Sequence, residues 1–80
     1  MTFIPHDPDA LLTRDQTADA LTDSGYPVKP RTLASKAARG GGPPYRLFGP
    51  RVLYRWGDAL GWAEGRLASP RRGTSEADAS

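Results

Sequence analysis

The chain has 80 residues, no cysteine, and 11 lysines and arginines against nine acids, for a formal net charge of +2. One small domain is all this length supports, near the lower limit of what a single core stabilises. The missing cysteines exclude disulfide frameworks and thiolate-bound zinc or iron–sulfur clusters.

No run reaches the roughly 18 apolar residues of a membrane span. The start, "MTFIPHDPDA", carries acids and prolines where a signal peptide needs a basic stretch and then an apolar one. A soluble intracellular protein without a membrane partner is expected.

The small net charge hides an asymmetry. Asp7, Asp9, Asp15, Asp19 and Asp23 precede Gly25 with only Arg14 against them. From Gly25 to Gly57 there are seven cations and no acid: Lys29, Arg31, Lys36, Arg39, Arg46, Arg51 and Arg55. Such a block suits a polyanionic partner, though a merely solvated basic face has the same composition.

In chain order, residues 1–10 lack periodicity and are expected to form a flexible arm. "LLTRDQTADALTDSG" contains Thr13 and, three residues on, Gln16, the capping-box spacing in which both ends of a first turn satisfy each other's N–H groups. Leu12 can staple that turn. Thr17, Ala18 and Leu21 recur at helical spacing, which predicts a helix from Arg14 to Asp23, stopped at Ser24–Gly25.

"YPVKPRTLASKAARGGG" predicts a second helix that begins with Pro30 in its first turn, where a missing N–H costs nothing. Leu33, Ala37 and Ala34 form its apolar side, with Val28 just before it. Arg31, Thr32, Ser35, Lys36 and Arg39 take the rest of the surface. Gly40 to Gly42 end the helix and Pro43–Pro44 forbid its resumption.

"YRLFGPRVLYRW" alternates around Gly49–Pro50–Arg51 and predicts a two-stranded hairpin. Tyr45, Leu47, Val52 and Tyr54 are expected on the core side, with Arg46, Arg51 and Arg55 outward and Phe48 in core packing. "GDALGWAEGRLAS" predicts a third helix with Leu60, Ala63 and Leu67 on one face. Gly57, Gly61 and Gly65 each cost about 1 kcal/mol against alanine in a helix, so packing must form it, or the glycines admit a neighbouring backbone. Trp56 and Trp62 are expected in the core. The tail "SPRRGTSEADAS", residues 69–80, reads as disordered, leaving residues 11–68 as the folded unit.

The expected fold class is mainly α with a small β-hairpin: a helix-turn-helix, a two-stranded wing and a C-terminal helix. In that arrangement the second helix can enter a DNA major groove while the first crosses the backbone. Lys29, Arg31, Thr32, Ser35, Lys36 and Arg39 are its candidate DNA-binding residues. Arg and Lys suit guanine edges or phosphate, and Thr and Ser suit either donors or acceptors. Arg46, Arg51 and Arg55 are the candidate wing contacts, to phosphates or an adjacent minor groove.

Other chemistry finds little support. Gly40–Gly42 lacks the following Gly-Lys-Ser/Thr of a phosphate loop. His6 has no metal-ligating or catalytic neighbours in the sequence. Two strands are too few for Tyr45, Phe48 and Tyr54 to make a stacking platform for single strands. Asp15, Asp19 and Asp23 share one face of the first helix and read as a solvated or partner-facing stripe. No nucleophile, base and orienting group recur together, so neither catalytic residues nor a metal, a cofactor or a small-molecule ligand is expected.

"LLTRDQTADAL" and "PRTLASKAARGGGPPYRLFGPRVLYRWGDALGWAEGRL" resemble the small winged helix-turn-helix proteins of the excisionase and AlpA-like phage-regulator type, distant relatives of the MerR DNA-binding domain. The family's features lie in order: "LLT…A", the Thr32–Leu33 pair, "GGPP" and an aromatic, "G-x-R-V-x-Y", and Gly61–Trp62. The likeness spans Leu11 to Leu67. Pro50 departs from it, standing where many relatives carry a basic wing residue and shifting that contact to Arg51. The turn from Ser24 to Lys29 is also longer than in a compact helix-turn-helix.

The resemblance implies binding to double-stranded DNA in the cytoplasm, associated with the nucleoid. It implies a recombination directionality factor, an excisionase that bends attachment-site DNA and biases an integrase (a tyrosine recombinase) toward excision. One module reads few base pairs, so self-association or side-by-side binding is expected. A local transcriptional regulator of the same fold is the alternative. From another class, a non-catalytic protein-interaction module would use the acidic stripe.

Overall fold

A computed structural model describes residues 4–67. The element order is β1 (Leu11–Thr13), α1 (Arg14–Asp23), α2 (Pro30–Arg39), β2 (Arg46–Phe48), β3 (Arg51–Arg55) and α3 (Trp56–Gly65). The three strands form one antiparallel sheet in the order β1-β3-β2. A helix-turn-helix, a hairpin wing and a closing helix define a mainly helical, winged helix-turn-helix arrangement.

The first helix begins on the expected capping box. The Gln16 N–H donates to Thr13 Oγ1 at 3.2 Å, and the Thr13 N–H donates to Gln16 Oε1 at 2.9 Å. Thr17 is fully buried, and its hydroxyl donates to the Thr13 carbonyl at 2.7 Å, so it enters the core without an unmet polar group. At the other end Gly25 has a φ of 102°, and the N–H groups of Gly25 and Tyr26 reach back to the carbonyls of Thr22 and Leu21. This is a Schellman stop. The long turn that follows is tied by one side chain: the Thr22 hydroxyl donates to the Val28 carbonyl and accepts from its N–H, at 3.1 and 3.2 Å.

The expected two-stranded hairpin is present as β2 and β3, and a third strand that was not expected joins it. Leu11, Leu12 and Thr13 pair with Arg55, Tyr54 and Leu53. Three residues are too few to show alternation, and a partner some forty residues away leaves no local signal. Leu12, expected as a staple, is buried in this strand instead. The wing turn is the two-residue loop Gly49–Pro50, with Gly49 at a φ of 61°. A positive φ followed by a proline locked at negative φ is the type II′ pattern, which matches strand twist without Asn-Gly.

Two buried clusters make the core. One gathers Leu12, Ala20, Leu21, Trp56, Ala59 and Ala63; the other gathers Ala18, Leu33 and Tyr54. Val28 and Trp62 pack against both and join them. Tyr54, fully buried, accepts a hydrogen bond at its Oη from Arg14 Nε at 3.3 Å.

Four expected core positions are corrected. Tyr45, Leu47 and Phe48 are 44, 68 and 73% exposed, and Leu67, just beyond α3, is 70% exposed. Tyr45 and Leu47 do lie on the core side of the hairpin, but β2 is the outer strand and packs mainly on β3. Phe48 pairs with Arg51 and shares the opposite face.

The glycines of α3 divide. A Cβ on Gly57 would meet Arg55 Nη1 at 2.8 Å and the Cβ and carbonyl oxygen of Pro8 at 3.1 and 3.2 Å, whereas Gly61 and Gly65 face open space. Close approach is therefore the reason for Gly57 alone. The segment before β1 supplies that approach: the Pro8 and Ala10 carbonyls accept the N–H groups of Gly57 and Trp56, each at 2.8 Å. These contacts satisfy donors that the first turn of α3 leaves open. The expected tail, residues 69–80, lies outside the described residues.

Candidate nucleic-acid interface

Helix α2 owes its orientation to one residue. Leu33 is fully buried against Ala18 and Tyr54, which turns the opposite side of the helix to solvent. Arg31, Thr32, Ser35 and Arg39 are exposed there and Lys36 is half-buried. These five residues and Gly40 line a single shallow concavity. Lys29 is the exposed N-cap residue and contributes no side-chain capping bond. No acid lies in the first turn, and Lys36 and Arg39 in the last turn complement the negative end of the helix dipole.

The C-terminal end of α2 is held by the three glycines. Gly40 and Gly41 have φ values of 94° and 91°, a region open to glycine and strained for other residues. Gly42 runs so close that a Cβ there would lie 2.9 Å from Lys36 Cβ. The Gly41 carbonyl accepts a hydrogen bond from Trp62 Nε1 at 2.8 Å, linking this turn to α3.

On the wing, Arg46 and Arg51 are exposed and share one sheet face with Phe48 and Leu53. Arg55 is on the same face but is placed differently. Its guanidinium bonds Asp9 at 2.7 Å through Nη2 and Asp58 at 3.0 Å through Nη1. Hydrogen bonding to Asp9, opposed by desolvation and reinforced by the charges of Asp9 and Asp58, raises its pKa above the ordinary arginine value. The seven-cation block thus has one member whose charge is met by acids from outside the block. Among the described residues, these are the only ion pairs, so Arg31, Lys36, Arg39, Arg46 and Arg51 form none.

The sequence reading missed Arg14 and Asp9 as partners of Tyr54 and Arg55, and it missed the exposed apolar wing tip. The first two depend on contacts across forty or more residues, which carry no local pattern. The tip carried no local signal either, because whether another element covers it is set by parts of the chain far from the hairpin.

Among the described residues no group of three or more His, Asp or Glu gathers as a metal site, and no helix is long and apolar enough to cross a membrane. No protein-family model, curated protein or solved structure matches this chain at a significant level. The fold and its exposed cationic face define a small module of winged helix-turn-helix type, an architecture compatible with DNA binding.

Proposed function

We propose that this chain is a non-catalytic, sequence-specific binder of double-stranded DNA that acts as an excisionase. The observation that carries the DNA-binding reading is the α2 surface. Arg31, Thr32, Ser35, Lys36 and Arg39 line one concavity, and its three cations are in no ion pair among the described residues. Set in a major groove, this surface offers forked donors for guanine edges and hydroxyls that accept or donate. Lys29 at the start of α2 and Arg46 and Arg51 on the wing then reach flanking phosphates.

The excisionase role rests on the ordered motifs from Leu11 to Leu67 that resemble that family, and on size. A module this small buries limited DNA surface, so occupancy of an attachment site requires neighbouring copies or an integrase beside it. A local transcriptional regulator would use the same surface. A protein-interaction module would instead use Asp15, Asp19 and Asp23, which are exposed along α1.

A gel shift at low salt on random duplexes and on attachment-site DNA tests the first step, with binding in the range of about 100 nM expected. No shift on any duplex overturns DNA binding. An in vitro excision assay with the tyrosine recombinase of the same element tests the second. Binding without stimulation of excision leaves the regulator reading in its place.

A further inference from the structure

The wing ends in an apolar tip. Leu47 and Phe48 are 68 and 73% exposed, and Pro50 is exposed beside them. They stand on a turn made stiff by a type II′ glycine and a proline ring. Phe48 lies directly across from Arg51, and Arg46 is two residues along the same face.

Resting on the DNA-binding reading, we propose that Phe48 is a wedge that enters the minor groove beside the α2 site and partly unstacks one base step, kinking the duplex. Apolar side chains inserted at base steps bend DNA toward the major groove, and the bend lets more protein surface meet the phosphates. The tip has the required form. It is two strands wide, since β1 pairs only with Leu53 to Arg55, and the start of α1 shares a shallow cleft with Pro50 and Arg51. Asp15 of α1 lines that cleft with Pro50 and Arg51, but the hairpin itself carries no acid and its apolar point is bracketed by Arg46 and Arg51. That combination fits a narrow anionic cleft. A protein partner fits it less well, because stable interfaces bury about 800 Å² on each side, far more than two side chains on a hairpin end provide. Flexible pyrimidine–purine steps are the expected positions, because they unstack most readily.

The test compares the wild-type chain with F48A and F48W on short duplexes that carry 2-aminopurine at a central TA step and a fluorophore at each end. Wild type is expected to raise both 2-aminopurine emission and end-to-end energy transfer. F48A is expected to lose both changes while binding about tenfold more weakly or less, and F48W is expected to retain them. Phe48 touches no core residue cluster, so an unchanged melting temperature in F48A confirms that the fold is intact. Bending and emission equal to wild type in F48A overturn the wedge while leaving DNA binding standing. A change of oligomeric state in F48A, read by sedimentation, overturns it in favour of contact with a second copy. Failure of the wild type to bind any duplex overturns the DNA-binding reading itself, and the wedge with it.

Discussion

Trp62 and Gly41 are joined by a hydrogen bond of 2.8 Å from the indole Nε1 to the backbone carbonyl, across twenty-one residues of sequence. The bond fastens the turn after the candidate recognition helix to the closing helix. It gives the triple-glycine stretch a mechanical role: a flexible segment is made to stop at one place. The same indole packs, as Val28 does, against both core clusters, and has the Arg66 guanidinium 5.3 Å from its ring centroid.

Replacing Trp62 with Phe keeps most of the apolar body and removes the donor. The loss is expected at about 1 kcal/mol of unfolding free energy, read by urea denaturation, and hydrogen exchange should quicken at Gly40 to Gly42. A W62F protein with unaltered exchange there would show that the bond does not restrain the turn.

Gly57→Ala is a second expectation, and a larger one. The added Cβ would crowd Arg55 Nη1 and the Pro8 backbone, whose carbonyl holds the Gly57 N–H. Overpacking of this kind costs roughly 1–3 kcal/mol. Gly61→Ala meets nothing and should stabilise the helix by up to about 1 kcal/mol. The contrast between the two melts is the measurement, and equal effects would mean that Pro8 does not press on α3.

The arginines of the wing should separate. R51A is expected to reduce the slope of log affinity against log salt by about one unit, because one phosphate contact is lost. R55A should leave that slope unchanged and lower thermal stability, since its guanidinium is engaged by Asp9 and Asp58. A fall in salt slope for R55A would return it to the set of DNA contacts expected from sequence.

On α2, Arg31→Ala and Lys36→Ala should each weaken binding to a specific site by about 1–3 kcal/mol if the residue reads a base edge. Equal losses on specific and random duplexes would instead make them phosphate contacts. Competition binding on the two kinds of DNA decides between these outcomes.

Much of the helical framework was legible in the sequence. The capping box at Thr13 and Gln16, the stop at Gly25 and the limits of α2 are written in residues three to five apart, and the structure has them as expected. The hairpin and its face of outward arginines followed from alternation, while its turn, expected over Gly49–Pro50–Arg51, is the two-residue Gly49–Pro50 with Arg51 already in β3. Phe48, Leu47 and Leu67 were misjudged because apolar character states a preference for burial, while burial itself needs another element overhead. β2 has none at its tip, and nothing local to the hairpin says so.

Local chemistry therefore determined the helices, the turns, the order of the elements and the basic character of the middle third. Tertiary structure decided which of those charges stand open and which are answered. Arg55 looked like its neighbours until the chain brought Asp9 and Asp58 against it, and Leu12 looked like a helix staple until β3 paired with it. The physical reason is the range of the forces. Caps, dihedral preferences and helical spacing act over a few residues, whereas strand pairing, ion pairing and burial join positions that sequence distance leaves unconnected.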